Sequence, residues 1–268
     1  MSSDREGPQP DIDISVAHVA RVYDYWLGGK TNFASDRIAA QAALRAAPHI
    51  EEGVRGNRAF LARTVRYLAG EVGVRQFLDI GTGIPAADNT HEVAQAAAPG
   101  CWVVYVDNDP IVLSHARALL TSGAGSTTAY LDEDLRNVAE IVRSASGLLD
   151  FSQPVAVMLI GILQCIPDED DPPGIIKRLM DAVPAGSYLT ISHPANDIDI
   201  EGMRDLTSRL NDLMPMRLKF RSRAQVAAFF DGLELVEPGL VRAPEWRPDP
   251  DTDLANPAAL WGGVARKN

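Results

Sequence analysis

The 268-residue sequence predicts an α/β fold: a seven-stranded, mostly parallel sheet with an antiparallel last strand, helices on both faces, and an N-terminal helical extension. Three observations predict it. From Arg75 onward, short apolar runs alternate with helix-length segments, the pattern of a parallel sheet with right-handed crossovers. The last two apolar runs, starting at Leu233 and Leu260, have no helix between them and so form an antiparallel pair. Three helix-length stretches precede the first strand.

Ser15 is placed to cap a helix running to about Leu27, with Val16, Val19, Tyr23 and Trp26 on one face and Gly28-Gly29 as its stop. Lys30-Thr31-Asn32-Phe33 leads to a helix from Ser35 or Asp36 to Ala46, ended by Pro48. A third helix covers about Ile50 to Ala69, with Val54, Leu61, Val65 and Leu68 as its buried stripe. Apolar runs bounded by turn residues place strands at Phe77–Ile80, Trp102–Val106, Thr127–Leu131, Val155–Ile160 and Tyr188–Ser192. The later helices begin at Asp109-Pro110 (running to Leu120), before Val138, at Pro172-Pro173 and near Ile198. Ser222-Arg223-Ala224-Gln225 is a capping box for a helix through Phe230, closed by Gly232. The final strands are Leu233–Val236, extendable to Val241, and Leu260–Ala265. The chain divides into a disordered lead-in at 1–13, a helical lid at 14–73 and a ligand-binding domain at 74–268, lid and domain forming one compact unit.

Hydrophobic residues make up 46% of the chain, enough for a large core. With 25 basic against 36 acidic side chains the formal charge is −11. That argues against a nucleic-acid partner, which calls for a basic footprint. Cys101 and Cys165 are too few for a disulfide framework or a four-ligand zinc site, and no His/Asp/Glu set has metal-ligand spacing. No apolar run approaches the roughly 20 residues of a membrane span. MSSDREGPQPDID lacks a signal pattern, so a cytoplasmic location is expected.

Arg75 to Asp109 carries the clearest chemistry. Gly81-Thr82-Gly83 follows the first strand, and its glycines let the backbone turn sharply and approach a ligand. Asp107, 24 residues beyond Gly83 and followed by Asn108, stands where a strand-end carboxylate holds both hydroxyls of a ribose. Gly81-x-Gly83-x-x-Ala86 also satisfies the dinucleotide fingerprint. Pro85, however, removes an N–H where a pyrophosphate needs donors, and Asp79 adds a negative charge beside the turn. A ligand with a cationic centre and an amino group suits Asp79 better, and S-adenosyl-L-methionine has both. The acidic loop at Asp132 to Asp134, followed by Leu135, can accept a hydrogen bond from an adenine amino group. Gly161, after the fourth strand, borders the same site. A parallel sheet closed by one antiparallel pair is also the outline of a methyltransferase sheet.

The segments VYDYWLGGKTNF, FLDIGTGIPAADNTHEVAQ, VVYVDNDPIVLSHARALL and LWGGVARK resemble the bacterial family named S-adenosyl methyltransferase, formerly a domain of unknown function. The resemblance runs from about Ile14 to Lys267. It implies a Rossmann-like class I methyltransferase fold with N-terminal helices. It also implies S-adenosyl-L-methionine as cofactor and S-adenosyl-L-homocysteine as product, and leaves the physiological acceptor open. The chain departs from the family where a segment similar to LHFIPD is expected after the fourth strand. Here the residues are Leu163-Gln164-Cys165-Ile166-Pro167-Asp168, which puts a histidine role at that place in doubt.

Methyl transfer asks mainly for alignment of methyl and nucleophile, with a general base only where the acceptor must lose a proton. His193, just past the fifth strand, is the histidine placed for that task; a turn histidine bonded to backbone is the competing reading. Tyr25, Gln164 and Trp246 are candidates for the acceptor side, while Trp26 suits the core. Tyr23, Asn32 in the GGKTNF loop, and Arg58, able to reach a cofactor carboxylate, join the glycine turn on the cofactor side. The Asp170-Asp171-Pro172-Pro173 run is explained by proline at a helix start. The expected function is S-adenosylmethionine-dependent methylation of an O or N atom of a small-molecule acceptor, with no membrane partner. The alternatives are a non-catalytic binder of the cofactor or its product with a regulatory role and, less favoured, an NAD-dependent oxidoreductase.

Overall fold

The computed structural model describes residues 12–114, 127–255 and 258–268. Three helices open it: α1 (Val19–Trp26), α2 (Ala34–Ala46) and α3 (Ile50–Arg66). A wider helical turn, Tyr67–Val72, continues α3 and stops at Gly73, whose φ of 89° is left-handed. Strands and helices then alternate: β1 (Gln76–Ile80), α4 (Thr90–Ala97), β2 (Trp102–Asp107), β3 (Thr128–Asp132), α5 (Val138–Ala145) and β4 (Ala156–Ile160). They continue with α6 (Pro172–Asp181), β5 (Tyr188–Pro194), α7 (Ile200–Leu213) and α8 (Arg223–Ala227). The chain closes with β6 (Glu234–Leu235), β7 (Val241–Arg242) and β8 (Leu260–Arg266). The helix expected after Asp109 is present at 110–114. Its expected continuation to Leu120, and residues 1–11 of the lead-in, lie outside the described residues.

Among the described residues the sheet has eight strands, in the order β3-β2-β1-β4-β5-β8-β6, with β7 also paired to β8. β1 to β5 run parallel, and β8 lies antiparallel to β5, β6 and β7. The expected strand from Leu233 toward Val241 is instead two short ones, because Gly239 (φ 87°) turns the chain between them. The strand order reverses between β1 and β4, so a crevice opens at their C-terminal ends.

Alternation along each strand sends side chains to two cores. On one face Leu78, Val104, Leu159 and Ile191 pack with Ile141 of α5 and Ile176 of α6. On the other, Phe77, Val103 and Met158 pack with Phe60, Leu61 and Val65 of α3 and Ala94 of α4. Each such burial is worth about 1.5–3 kcal/mol. Phe60 lies so close to β8 that a Cβ on Gly262 would meet its ring at 2.9 Å. A third cluster joins α1, α2 and α7 through Val22, Trp26, Ala43, Leu206 and Leu210.

α1 starts later than Ser15. The Ser15 hydroxyl donates to Asp13 (2.6 Å), and the His18 amide donates to Asp36 of α2 (2.9 Å), which pins the helix start at Val19. His18 Nδ1 lies 2.7 Å from Asp109 Oδ2, so the ring donates there, and the 3.4 Å approach of the Ala20 amide is not a cap. β5 runs two residues longer than expected because β8 supplies partners, Trp261 opposite His193 and Leu260 opposite Pro194.

Candidate functional site

The crevice at the ends of β1 and β4 is built around the glycine turn. Gly81 and Gly83 take φ of 77° and 68°, where a side chain is strained. A Cβ on Gly81 would lie 2.5 Å from the Ile162 side chain. Asp107 fastens the turn, its Oδ2 accepting from the Gly83 amide (2.8 Å) and its Oδ1 from the Asp109 amide (2.9 Å). Burial raises the Asp107 carboxyl above its ordinary value, against the pull of those amides. Asp79, at the end of β1, is only 3% exposed, and its Oδ2 accepts from the Thr90 hydroxyl at 2.6 Å. Burial pushes its pKa up to about 6, although Thr90 and Arg58 favour the charged form.

Arg58 reaches over from α3. Its Nη2 donates to the carbonyls of Ala87 (2.8 Å) and Asp88 (2.9 Å), while its buried Nε has no partner among the described residues. Around these groups lies a cleft of about 110 Å³ that brings together Tyr23, Arg58, Asp79, Gly81, Thr82, Gly83, Asp107, Asn108, Gly161 and Gln164. A second cavity, about 320 Å³, adjoins it under α1, α3 and α7. Val19, Tyr23, Asn57, Gly161 and Gln164 line both.

Other expected positions lie elsewhere. His193 is a correction: it is fully buried within β5 and lines neither cavity. Its Nδ1 donates to the Pro194 carbonyl (2.9 Å), and its Nε2 accepts from Arg221 (3.1 Å). Burial drops its pKa to about 3, so the ring is neutral with both nitrogens engaged and cannot serve as the base. Trp246 is also corrected; it sits in the core, edge-on to Phe60 and Tyr67 at centroid distances of 5.8 and 5.7 Å. Tyr25 lines neither cavity, and Gln41 donates weakly to its hydroxyl at 3.4 Å.

Asn32 does not line the cleft either; its amide donates to Asp24 (2.9 Å) and to the Gly29 carbonyl (3.0 Å), tying the loop to the end of α1. A Cβ on Gly29 would lie 2.0 Å from the Asp24 carboxylate, so a larger residue there would make that side chain move. Asp132, Asp134 and Leu135 stand outside the cleft. The Asp134 oxygens are taken by Arg136 and by Asn108 (3.0 Å), Asp132 is exposed, and Leu135 packs into the core.

Two features went unread in the sequence. Ser192 donates to Asn57 Oδ1 (2.6 Å), and Asn57 Nδ2 donates to the Tyr23 hydroxyl (3.0 Å), a neutral chain from β5 to α1 at the junction of the cavities. Arg221, 2% exposed, donates to the Leu163 and Ile166 carbonyls and to Asp168 at 2.7–2.9 Å, holding the segment after β4 in place. Neither has a local signal, since the partners lie 28 to 135 positions apart. Cys165 borders the cleft, but burial pushes its thiol up to about 12, so it stays protonated and unreactive.

A family model described as S-adenosyl methyltransferase matches residues 5–268. The chain belongs to the S-adenosyl methyltransferase family. It is an S-adenosylmethionine-dependent methyltransferase, with S-adenosyl-L-methionine as its cofactor. A crystal structure of a DUF574 family protein from Streptomyces avermitilis is 41% identical, with a TM-score of 0.91 over 96% of this chain and 99% of that one. A candidate methyltransferase from Thermobifida fusca is 38% identical, with a TM-score of 0.89 over 97% of this chain and 98% of that one. An O-methyltransferase family protein from Burkholderia thailandensis, 12% identical, shares the fold alone, with a TM-score of 0.54 over 84% of this chain and 62% of that one. No curated protein matches the sequence.

The cleft of this methyltransferase fits its cofactor on chemical grounds. Among the described residues, Asp79 is a buried carboxylate with no cation in direct contact, and the Arg58 Nε is a buried donor with no acceptor. A ligand carrying both a positive centre and a carboxylate answers both. Among the described residues no helix is long and apolar enough to cross a membrane, and no cluster of His, Cys, Asp and Glu could hold a metal ion.

Proposed function

We propose that the glycine-turn cleft holds S-adenosyl-L-methionine and that the adjoining cavity holds a small-molecule acceptor methylated at nitrogen or oxygen. The observation that carries this reading is a pair of adjoining cavities that share part of their lining. One has carboxylates in its wall, the other mainly hydrocarbon, and they meet at Tyr23, Asn57, Gly161 and Gln164. In this reading Asp107 accepts the ribose hydroxyls, Asp79 faces the cationic end and Arg58 takes the carboxylate. Segment 14–73 supplies the cover, chiefly through α1. When bound, the cofactor supplies an electrophilic methyl group. The chain's own part is alignment and exclusion of water, which can account for about 7 kcal/mol or more of a bimolecular barrier.

Calorimetry with S-adenosyl-L-methionine, S-adenosyl-L-homocysteine and NAD tests the reading. Both adenosyl ligands should give saturable heats and NAD none at the same concentrations. Tighter binding of NAD would overturn it. The cleft's 110 Å³ is below the roughly 300 Å³ at the lower end of small-molecule sites, so binding should displace α1 or the chain around Met216. Amide exchange across residues 16–27 should therefore change when S-adenosyl-L-homocysteine is added. An unchanged pattern there would show that α1 does not act as the cover.

A further inference from the structure

We infer that the acceptor is an uncharged, weakly basic amine carried on an aromatic or hydrocarbon body; this rests on the cofactor reading of the adjoining cleft. The cavity's 320 Å³ suits a small organic molecule. Its wall is hydrocarbon, with Val22, Trp26, Leu206, Leu210 and Phe220 among the lining residues. Among the described residues its ionisable lining groups are Tyr23, His49 and Asp199, and the last two are exposed at the rim. An ammonium or carboxylate entering here would lose its hydration and meet no opposite charge inside, which strongly disfavours it. The molecule therefore enters neutral.

The reacting group follows from the junction, where Tyr23 alone is ionisable among the described residues that line both cavities. A hydroxyl acceptor must shed its proton as the methyl arrives, and that needs a base within reach. His193 is sealed inside β5, Asp79 lines the cofactor cleft, where in this reading it is engaged by the ligand's cationic end, and His49 and Asp199 stand exposed at the far rim of the cavity. Tyr23, Asn57 and Ser192 form a neutral chain, and burial holds the Tyr23 phenol above its ordinary value, so it offers no base. A neutral amine needs none, because it attacks with a lone pair it already has. Its lone pair forms the N–CH₃ bond as the S–CH₃ bond breaks, the bonding electrons stay on sulfur, and the proton of the resulting ammonium leaves to water. An aryl amine is neutral at pH 7, whereas an alkyl amine is an ammonium.

Gln164 supplies the second observation. It is 8% exposed and borders both cavities; its Nε2 donates to the Gly161 carbonyl, and its Oε1 has no partner among the described residues. A buried acceptor without a donor is unfavourable, and an amine N–H can satisfy it.

The test uses the full chain saturated with S-adenosyl-L-homocysteine at pH 7.5, titrated with 1-naphthylamine, naphthalene and the charged 1-naphthylmethylammonium. The amine should bind at least tenfold more tightly than either of the others. Gln164→Leu should cut the preference for amine over naphthalene to within twofold, and Leu206→Trp should abolish binding of both. With labelled S-adenosyl-L-methionine, methyl should pass to 1-naphthylamine and not to 1-naphthol. Tightest binding of the ammonium, a preference unchanged in Gln164→Leu, or transfer to the naphthol alone would overturn the inference. The wild-type probe comparison stands even if a variant fails to fold. Failure of the wild type to bind S-adenosyl-L-homocysteine would instead overturn the cofactor reading beneath it.

Discussion

Asp107→Ala is expected to weaken binding of S-adenosyl-L-methionine about 100-fold, and Asp107→Asn about tenfold. Hydrogen bonds to a charged group contribute about 1.5–3 kcal/mol, and two ribose hydroxyls shared by one carboxylate reach the upper part of that range. The carboxylate has a second task, because its oxygens already accept from the Gly83 and Asp109 amides. Alanine removes both, so the turn loses its fastening together with the ligand's acceptor. Asparagine keeps one acceptor oxygen and loses the charge, which separates the two contributions. Calorimetry with S-adenosyl-L-homocysteine reads the affinities, and thermal melts read the turn. Undiminished affinity in Asp107→Ala would falsify the ribose assignment. A fall in melting temperature with unchanged affinity would leave Asp107 as a turn fastener only.

Much of this was legible because it depends on neighbours in sequence. The apolar runs of β1, β2 and β4 are bounded by turn residues, and Asp171-Pro172 and the Ser222 capping box announce their helices. The glycine turn and Asp107 are legible as geometry for the same reason, since a parallel strand-turn-helix unit sets their spacing, and the Asp107 carboxylate meets the Gly83 amide. What failed depended on partners far along the chain. His193 looked like a loop residue until β8 paired with it, and pairing put it out of reach of any substrate. Trp246 has the look of a pocket aromatic in a Pro- and Asp-rich loop, yet Phe60 and Tyr67, far back along the chain in and just after α3, bury it. Asp134 is the exception: its partner Arg136 is two positions away, but whether that long side chain folds back onto it or extends into solvent has no sequence signal. The larger cavity has no local signal either, as its walls come from α1, α3, α7, the segment after β4 and the chain beyond α7.

Asp79→Asn should have opposite effects on stability and on cofactor binding. The native pKa of about 6 lies above the ordinary 3.8, so between those values the folded state holds more protons than the unfolded one. Stability contributed by this group therefore falls as pH rises from about 4 to about 6, and the full cost is present above that. At about 1.36 kcal/mol per pH unit, the ionised carboxylate costs the ligand-free protein roughly 3 kcal/mol at neutral pH. Asparagine carries no charge and can still accept from the Thr90 hydroxyl. The ligand-free variant should melt about 5–10 °C higher at pH 7.5 and match the wild type near pH 4. Affinity for S-adenosyl-L-methionine should move the other way, because a cationic ligand is drawn to the ionised form. In the wild type that affinity should rise with pH through about 6, with one proton released on binding below it. In Asp79→Asn it should be weaker and independent of pH over the same range. The destabilising charge is then the feature that selects a cationic ligand over a pyrophosphate, a cost in stability placed where the chemistry uses it. A variant no more stable than the wild type, with the same pH-dependent affinity, would remove Asp79 from the site.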